Sequence, residues 1–440
     1  MIRIDTKARL FYIAVLFMAP AAAQTGVWTA PVTLSAGGQG WEAAAAMDGS
    51  GNSVAIWDEI RSQAYIWSRS KPSGGGWSSP MQVSPGGLGL QTSYVYPAVR
   101  ISAAGFATAV WTDADGVWTA DRPPASDWNP PQLLIPGASG PIFAMNSQGD
   151  AVIAWTVGGP TDPNGSVLAV LRPAATAWTS PQTVASGGVH LLADHVGIGG
   201  NGAAIVTWET YTSVCSEGFC ALSNYIPHAS RQAAVSGAWV DSGVLMGPTD
   251  DSHNPFVALD STGRAMLVAL SGAGAYVSAT QGVSGGDWSP FHTVVDVQEI
   301  SIVSDLASDD VGNVTMVYET IGFSTSQALA VEGSIGKNAW LAPAVLSGSD
   351  AIVSLVTFAL AGSGAALTVW VTGSATPEIH AVTRATATGT WGIPATISQP
   401  GSSEIEPEGA AVNSAGKAIV IYSGYNAASV HTEYASNYTP

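Results

Sequence analysis

The chain has 440 residues, of which 50 are glycine and 16 tryptophan, and only 10% are charged. Lys and Arg number 14 against 32 Asp and Glu, a formal net charge of −18 at pH 7, so the field around the molecule repels phosphate backbones. These proportions exclude a disordered tail, a coiled coil and a nucleic-acid binder, and they point to many short strands joined by tight turns.

In chain order, Arg3, Lys7 and Arg9 precede an apolar run over 10–20, and Ala21, Ala22 and Ala23 precede Gln24. This pattern reads as a secretory signal peptide, 1–23, leaving 24–440 as a single exported domain in the periplasm or outside the cell. No later stretch reaches 18 uninterrupted apolar residues, so no further membrane span is expected. Cys215 and Cys220 enclose Ser-Glu-Gly-Phe. In an oxidising compartment they are expected to form a local disulfide, and two thiolates with no histidine beside them make a poor zinc site.

A repeat dominates the remainder of the chain. A Trp leading an apolar stretch occurs at Trp28, Trp77, Trp128, Trp178, Trp239, Trp288, Trp340 and Trp391, with spacings of 49, 51, 50, 61, 49, 52 and 51. Between these fall Gly51, Gly105, Gly149, Gly202, Gly263, Gly312, Gly364 and Gly416, each opening an apolar run. That run reaches Trp57, Trp111, Trp155, Trp208, Ala269, Tyr318, Trp370 or Tyr422. Asp48, Asn146, Asp260, Asp309 and Asn413 stand at the start of the turn that the Gly ends, which is hairpin chemistry.

Each unit therefore holds four short strands, the signature of a β-propeller. The chain begins with a fourth strand at Trp28 and ends with three strands that lack one, so joining the termini completes the last blade. Eight Gly markers predict eight blades, or seven if the unit around Gly263 is too degenerate to count. The strand runs are too short for an outer-membrane barrel.

The repeat tryptophans, including Trp67 and Trp118 in third strands, are expected to pack between blades. Trp41 falls outside the pattern, with Glu42 beside it, and reads either as a ring that stacks on a sugar or as a plug at the channel mouth. Up-and-down topology places the fourth-to-first and second-to-third connections on one face. Most of the carboxylates fall there, with the aromatic residues Tyr94 and Tyr96. The candidate binding residues are Trp41, Glu42, Asp58, Glu59, Tyr94, Tyr96, Asp113, Asp194, His195, Glu209, Asp250, His253 and Glu319. Carboxylates in such a loop face hydrogen-bond sugar hydroxyls or hold Ca²⁺, while rings stack on apolar sugar faces. No cofactor is required, and no catalytic residue is assigned.

Over residues 28–434 the repeat resembles secreted bacterial propellers of the sialidase-like, Asp-box type, and more loosely propeller lectins. The segment Ser308-x-Asp310-x-Gly312 is the nearest match to the box, with Thr315 where the box has Trp. The resemblance implies a propeller with a glycan ligand. Sialidases hold the substrate carboxylate with three arginines, for which this face offers Arg61 and Arg100, so no sialidase catalytic residue is carried over. The resulting expectation is a monomeric binding module for a glycan or an extracellular protein. A glycoside hydrolase using the same carboxylates is the second reading, and a structural surface protein the third.

Overall fold

The computed structural model describes residues 26–440 apart from 36, 61–62, 88–94, 159–161, 163, 188–189, 217–218, 234–236, 246–252, 272–274, 284, 297–299, 322–325, 338, 349–352, 374–375 and 400–402. The signal peptide expected over 1–23 lies outside the described residues. Among the described residues every regular element is a strand, and no helix is long and apolar enough to cross a membrane.

The strands form eight antiparallel sheets in a ring, the eight-bladed propeller the repeat predicts. Blades 1 to 7 span 39–82, 98–136, 142–186, 190–244, 253–296, 300–345 and 353–396. Blade 8 combines Ser403–Val412, Ala418–Tyr425 and His431–Thr439 with the N-terminal pieces Val27–Trp28 and Val32–Thr33. The unit around Gly263 is a full blade, which removes the seven-blade alternative. Closure occurs where the sequence places it: Trp28 lies opposite Tyr438, and Val32 opposite Ala435. The long spacing before Trp239 comes from a hairpin in blade 4, Ala204–Ser216 and Phe219–Gln232. Cys215 and Cys220 are backbone partners across that hairpin, and their side chains lie outside the described ones.

The first strands of adjacent blades pack on one another all the way round, so they form the inner wall. Eight apolar clusters lie outside it, one at each junction between blades. The repeat tryptophans sit in these wedges, with Trp57, Trp111, Trp155 and Trp370 fully buried. Outer-strand tryptophans reach across as well: the indole N–H of Trp128 donates to Ser68 Oγ at 2.7 Å, and that of Trp340 to Ser278 Oγ at 3.0 Å. Arginines of the third strands tie neighbours together. Arg172 pairs with Asp121 at 2.6 Å and lies over Trp178, while Arg384 pairs with Glu332 and donates to Thr315 Oγ1 at 3.0 Å.

The turns between first and second strands explain the Gly marker. All eight marker glycines take positive φ, from +75° to +99°, a region that costs residues with a Cβ. In each turn the Gly N–H donates to the carbonyl three residues back, as Gly51 does to Asp48 at 3.0 Å. The side chain at the turn's start accepts further N–H groups, as Asp48 does from Ser50 at 2.9 Å and Asn52 at 2.8 Å. The turns also bond to one another. Ala103 N–H donates to Ser147 O, Gly200 to Asp260, Ser261 to Asp310, Asp310 to Gly362, and the Asn413 amide to Asp48 O at 3.3 Å. All eight turns surround one narrow mouth of the channel, enclosing about 290 Å³. Because the Asn413 amide nitrogen spans the closing junction, Asn413→Ala is expected to cost about 1–2 kcal/mol, read from the midpoint of denaturant unfolding. An unchanged midpoint would show that this belt carries no stability.

Candidate functional site

The opposite mouth is wide. A cavity of about 800 Å³ there is lined by parts of blades 8, 1, 2 and 3: Trp41, Glu42, Asp58, Tyr96, Arg100, Phe143, Glu406, Glu408 and intervening apolar residues. Arg100 and Glu408 also line the next section of the channel, about 420 Å³, so the cavity opens inward.

A bulge builds its rim. The ladder of the first strand of blade 1 with the second slips between Gly40 and Ala43, so Trp41 and Glu42 are extruded from regular pairing. Asp58 on the second strand holds this bulge, its Oδ1 accepting the Glu42 N–H at 2.7 Å. Glu42 in turn accepts the N–H of Tyr96, in blade 2, at 2.8 Å. Tyr96 sits at φ +40°, a strained position for a non-glycine residue, and that carboxylate contact anchors it. Both rings face outward, Trp41 39% and Tyr96 53% exposed. One face of Trp41 is stacked on His431, with centroids 4.3 Å apart, and the His431 ring N–H donates to Gly40 O.

Carboxyl chemistry dominates the wall. Glu408 sits in the second of two breaks in the first strand of blade 8, between Pro407 and Gly409, and accepts the Ser423 hydroxyl at 2.8 Å. Burial, with Glu406 and Glu42 nearby, pushes its carboxyl up to about 8, so it keeps its proton at neutral pH. Burial also raises Glu42 and Asp58 above the usual carboxylate range, against the hydrogen bonds they accept. Behind the wall Glu433 is fully buried, neither of its oxygens hydrogen-bonded among the described residues, with the carboxyl groups of Glu408, Asp58 and Glu59 as neighbours. Its carboxyl is held well above its ordinary range, chiefly by burial.

Among the described residues, which do not include Arg61, Arg100 is the one basic residue in the cavity lining. Its guanidinium donates to Val99 O at 3.0 Å, lies over Phe143, and feels Asp305 of blade 6. Asp305 stands 3.9 Å from the Nε2 of His195, from blade 4. About a third of the Asp305 side chain stays open to the channel; enclosure there raises its carboxyl to about 6. Enclosure and the Arg100 charge lower His195 to about 4, leaving the ring neutral near pH 7.

Of the residues expected from the sequence, Trp41, Glu42, Asp58 and Tyr96 come together in this cavity. Glu59 turns into the core, accepting Gly38 N–H at 2.8 Å and Trp57 Nε1–H at 3.0 Å. Asp113 caps its own hairpin turn through Asp115 N–H at 2.8 Å. Asp194 and Glu209 form a separate buried pair, where Glu209 accepts Asn254 N–H at 2.8 Å and burial raises Asp194 strongly. Glu319 likewise accepts the N–H of Val356 in the next blade. Tyr94 and Asp250 lie outside the described residues, as does the His253 side chain. Among the described residues, no three carboxylate, His or Cys side chains converge as a metal site requires.

Glu406, Glu408, Glu433, His431, Phe143 and Asp305 were not singled out as site residues from the sequence. The available signal was a charge within an inner strand whose neighbours are apolar, as in Val99-Arg100-Ile101 and Asp305-Leu306.

No family model and no curated relative matches the chain. Solved structures do resemble it. The BP39L lectin from Burkholderia pseudomallei is 14% identical, with 82% of this chain and 100% of that one covered and a TM-score of 0.50. The Dos1 propeller is 8% identical, covering 94% and 95%, with a TM-score of 0.51. The polysaccharide lyase Uly1 is 10% identical, covering 73% and 85%, with a TM-score of 0.50. At such identities the likeness is one of fold.

Proposed function

We propose that this is an exported glycan-binding propeller whose ligand enters the wide mouth between blades 8, 1, 2 and 3. One observation carries the reading: two exposed rings, Trp41 and Tyr96, and four carboxyl side chains, Glu42, Asp58, Glu406 and Glu408, share one open cavity. Flat rings take the apolar faces of pyranoses, and carboxylates take their hydroxyl hydrogens. A lectin and a polysaccharide lyase among the structures of similar fold support a sugar ligand at the level of architecture.

Titration calorimetry of the mature chain against a panel of oligosaccharides tests it. Trp41→Ala is expected to weaken the best ligand by roughly 10- to 100-fold, the loss of one stacked ring. Absence of heat with every glycan would overturn the reading. A glycoside hydrolase on the same cavity is favoured by one feature, the proton Glu408 retains beside the carboxyl groups of Glu42 and Glu406. Release of reducing ends from a panel sugar, abolished in Glu408→Gln, would replace the binding reading with that one.

A further inference from the structure

The polar lining of the cavity is lopsided. Among the described residues, which do not include Arg61, Glu42, Asp58, Glu406 and Glu408 face it against Arg100 alone, and Arg100 donates to Val99 O, lies over Phe143 and sits in the field of Asp305. A sulfated or carboxylated chain would meet four carboxyl groups and, among the described residues, one exposed guanidinium to offset them. A neutral sugar would leave the carboxylates without a counter-charge. Trp41 offers its free face at the rim, and an indole face attracts a cation as well as a sugar ring.

We propose, building on the glycan reading above, that the sugar this cavity takes carries a primary ammonium group. A β-1,4-linked glucosamine chain has this chemistry, its ammonium received among Glu42, Glu406 and Glu408 while Trp41 stacks on the ring. Glu406 is exposed and can turn to the ligand. Glu408 releases its proton when the ammonium arrives, because a neighbouring cation favours the carboxylate. No covalent step is involved.

The test is calorimetry of the mature chain at about pH 6 with three β-1,4-linked tetrasaccharides: glucosamine, N-acetylglucosamine and glucose. The amine is expected to bind at least about tenfold more tightly than the other two, the worth of one charge-assisted contact. That advantage should shrink severalfold in Glu42→Gln and in Glu406→Gln; the latter changes an exposed side chain and so preserves the fold. Equal affinity for the three tetrasaccharides, with Trp41→Ala weakening all of them, would overturn the ammonium proposal and leave the glycan reading standing. Binding of a neutral or anionic panel sugar at Trp41, with none of the glucosamine tetramer, would do the same. No binding of any sugar defeats both.

Discussion

Deleting residues 24–36 is expected to lower the melting temperature by more than about 10 °C, or to prevent folding of the ring altogether. The strand pieces Val27–Trp28 and Val32–Thr33 of this segment supply the outer edge of blade 8. Thr29 N–H donates to Asn437 O and Leu34 N–H to Glu433 O, both at 2.8 Å, and Asn437 N–H donates to Thr29 Oγ1 at 3.1 Å. Leu34 is fully buried in the cluster joining blades 8 and 1, and the Trp28 ring lies 5.2 Å from that of Tyr438. Burial of these two side chains and the bonds they accompany are together worth on the order of 5–8 kcal/mol. Their loss also leaves His431–Thr439 as an open edge, a template for pairing with other chains. Calorimetric melting and size-exclusion chromatography check this. A truncated chain that stays monomeric and melts within about 2 °C of the parent would show that the ring does not need the N-terminal strand.

The second large effect concerns pH. Glu433→Gln and Glu408→Gln are each expected to raise the melting temperature by roughly 2–5 °C at pH 8.5 and to change it little near pH 5. Glu408 is raised in the folded protein from 4.5 to about 8. Between those values the unfolded chain gives up a proton that the folded protein keeps, so stability falls as pH rises through the window. Glu433, also raised, acts in the same sense. His195, lowered from 6.5 to about 4, works the other way between those two values, since its unfolded form takes the proton. Above about pH 6.5 the carboxyl effect stands alone, and a glutamine in either place removes it. Melting curves of the parent and both variants at pH 5, 6.5 and 8.5 settle the matter. Parallel pH profiles for all three would mean that neither carboxyl group holds its proton in the fold.

How much of the site is legible in the sequence depends on the kind of signal. Trp41 was readable because it breaks an otherwise regular repeat of tryptophans. Glu42 followed from adjacency, and its place at the rim comes from the bulge that extrudes both residues. Asp58 and Glu59 are neighbours with equal claims from the sequence. In the structure one reaches the cavity and the other is turned back into the core, because successive strand residues face opposite sides of a sheet. Glu209 and Glu319 follow an aromatic residue just as Asp58 does, yet each accepts a backbone N–H from the next blade and stands in a polar contact of the scaffold.

That the unit around Gly263 is a full blade, giving eight blades rather than seven, was decided by the structure. The repeat, the mode of closure and the sorting of the first-to-second turns were determined by the sequence alone. They rest on local chemistry, a glycine where φ must be positive and an Asp or Asn that folds back on its own turn, repeated at a fixed period. Only the tertiary structure decided which carboxyl groups meet. Glu408 and Glu42 lie far apart along the chain and become neighbours when blade 8 closes on blade 1; Arg100, His195 and Asp305 share the channel because blades 2, 4 and 6 turn their inner strands to one axis. Proximity across a ring is a property of its closure, and no local pattern of residues encodes it.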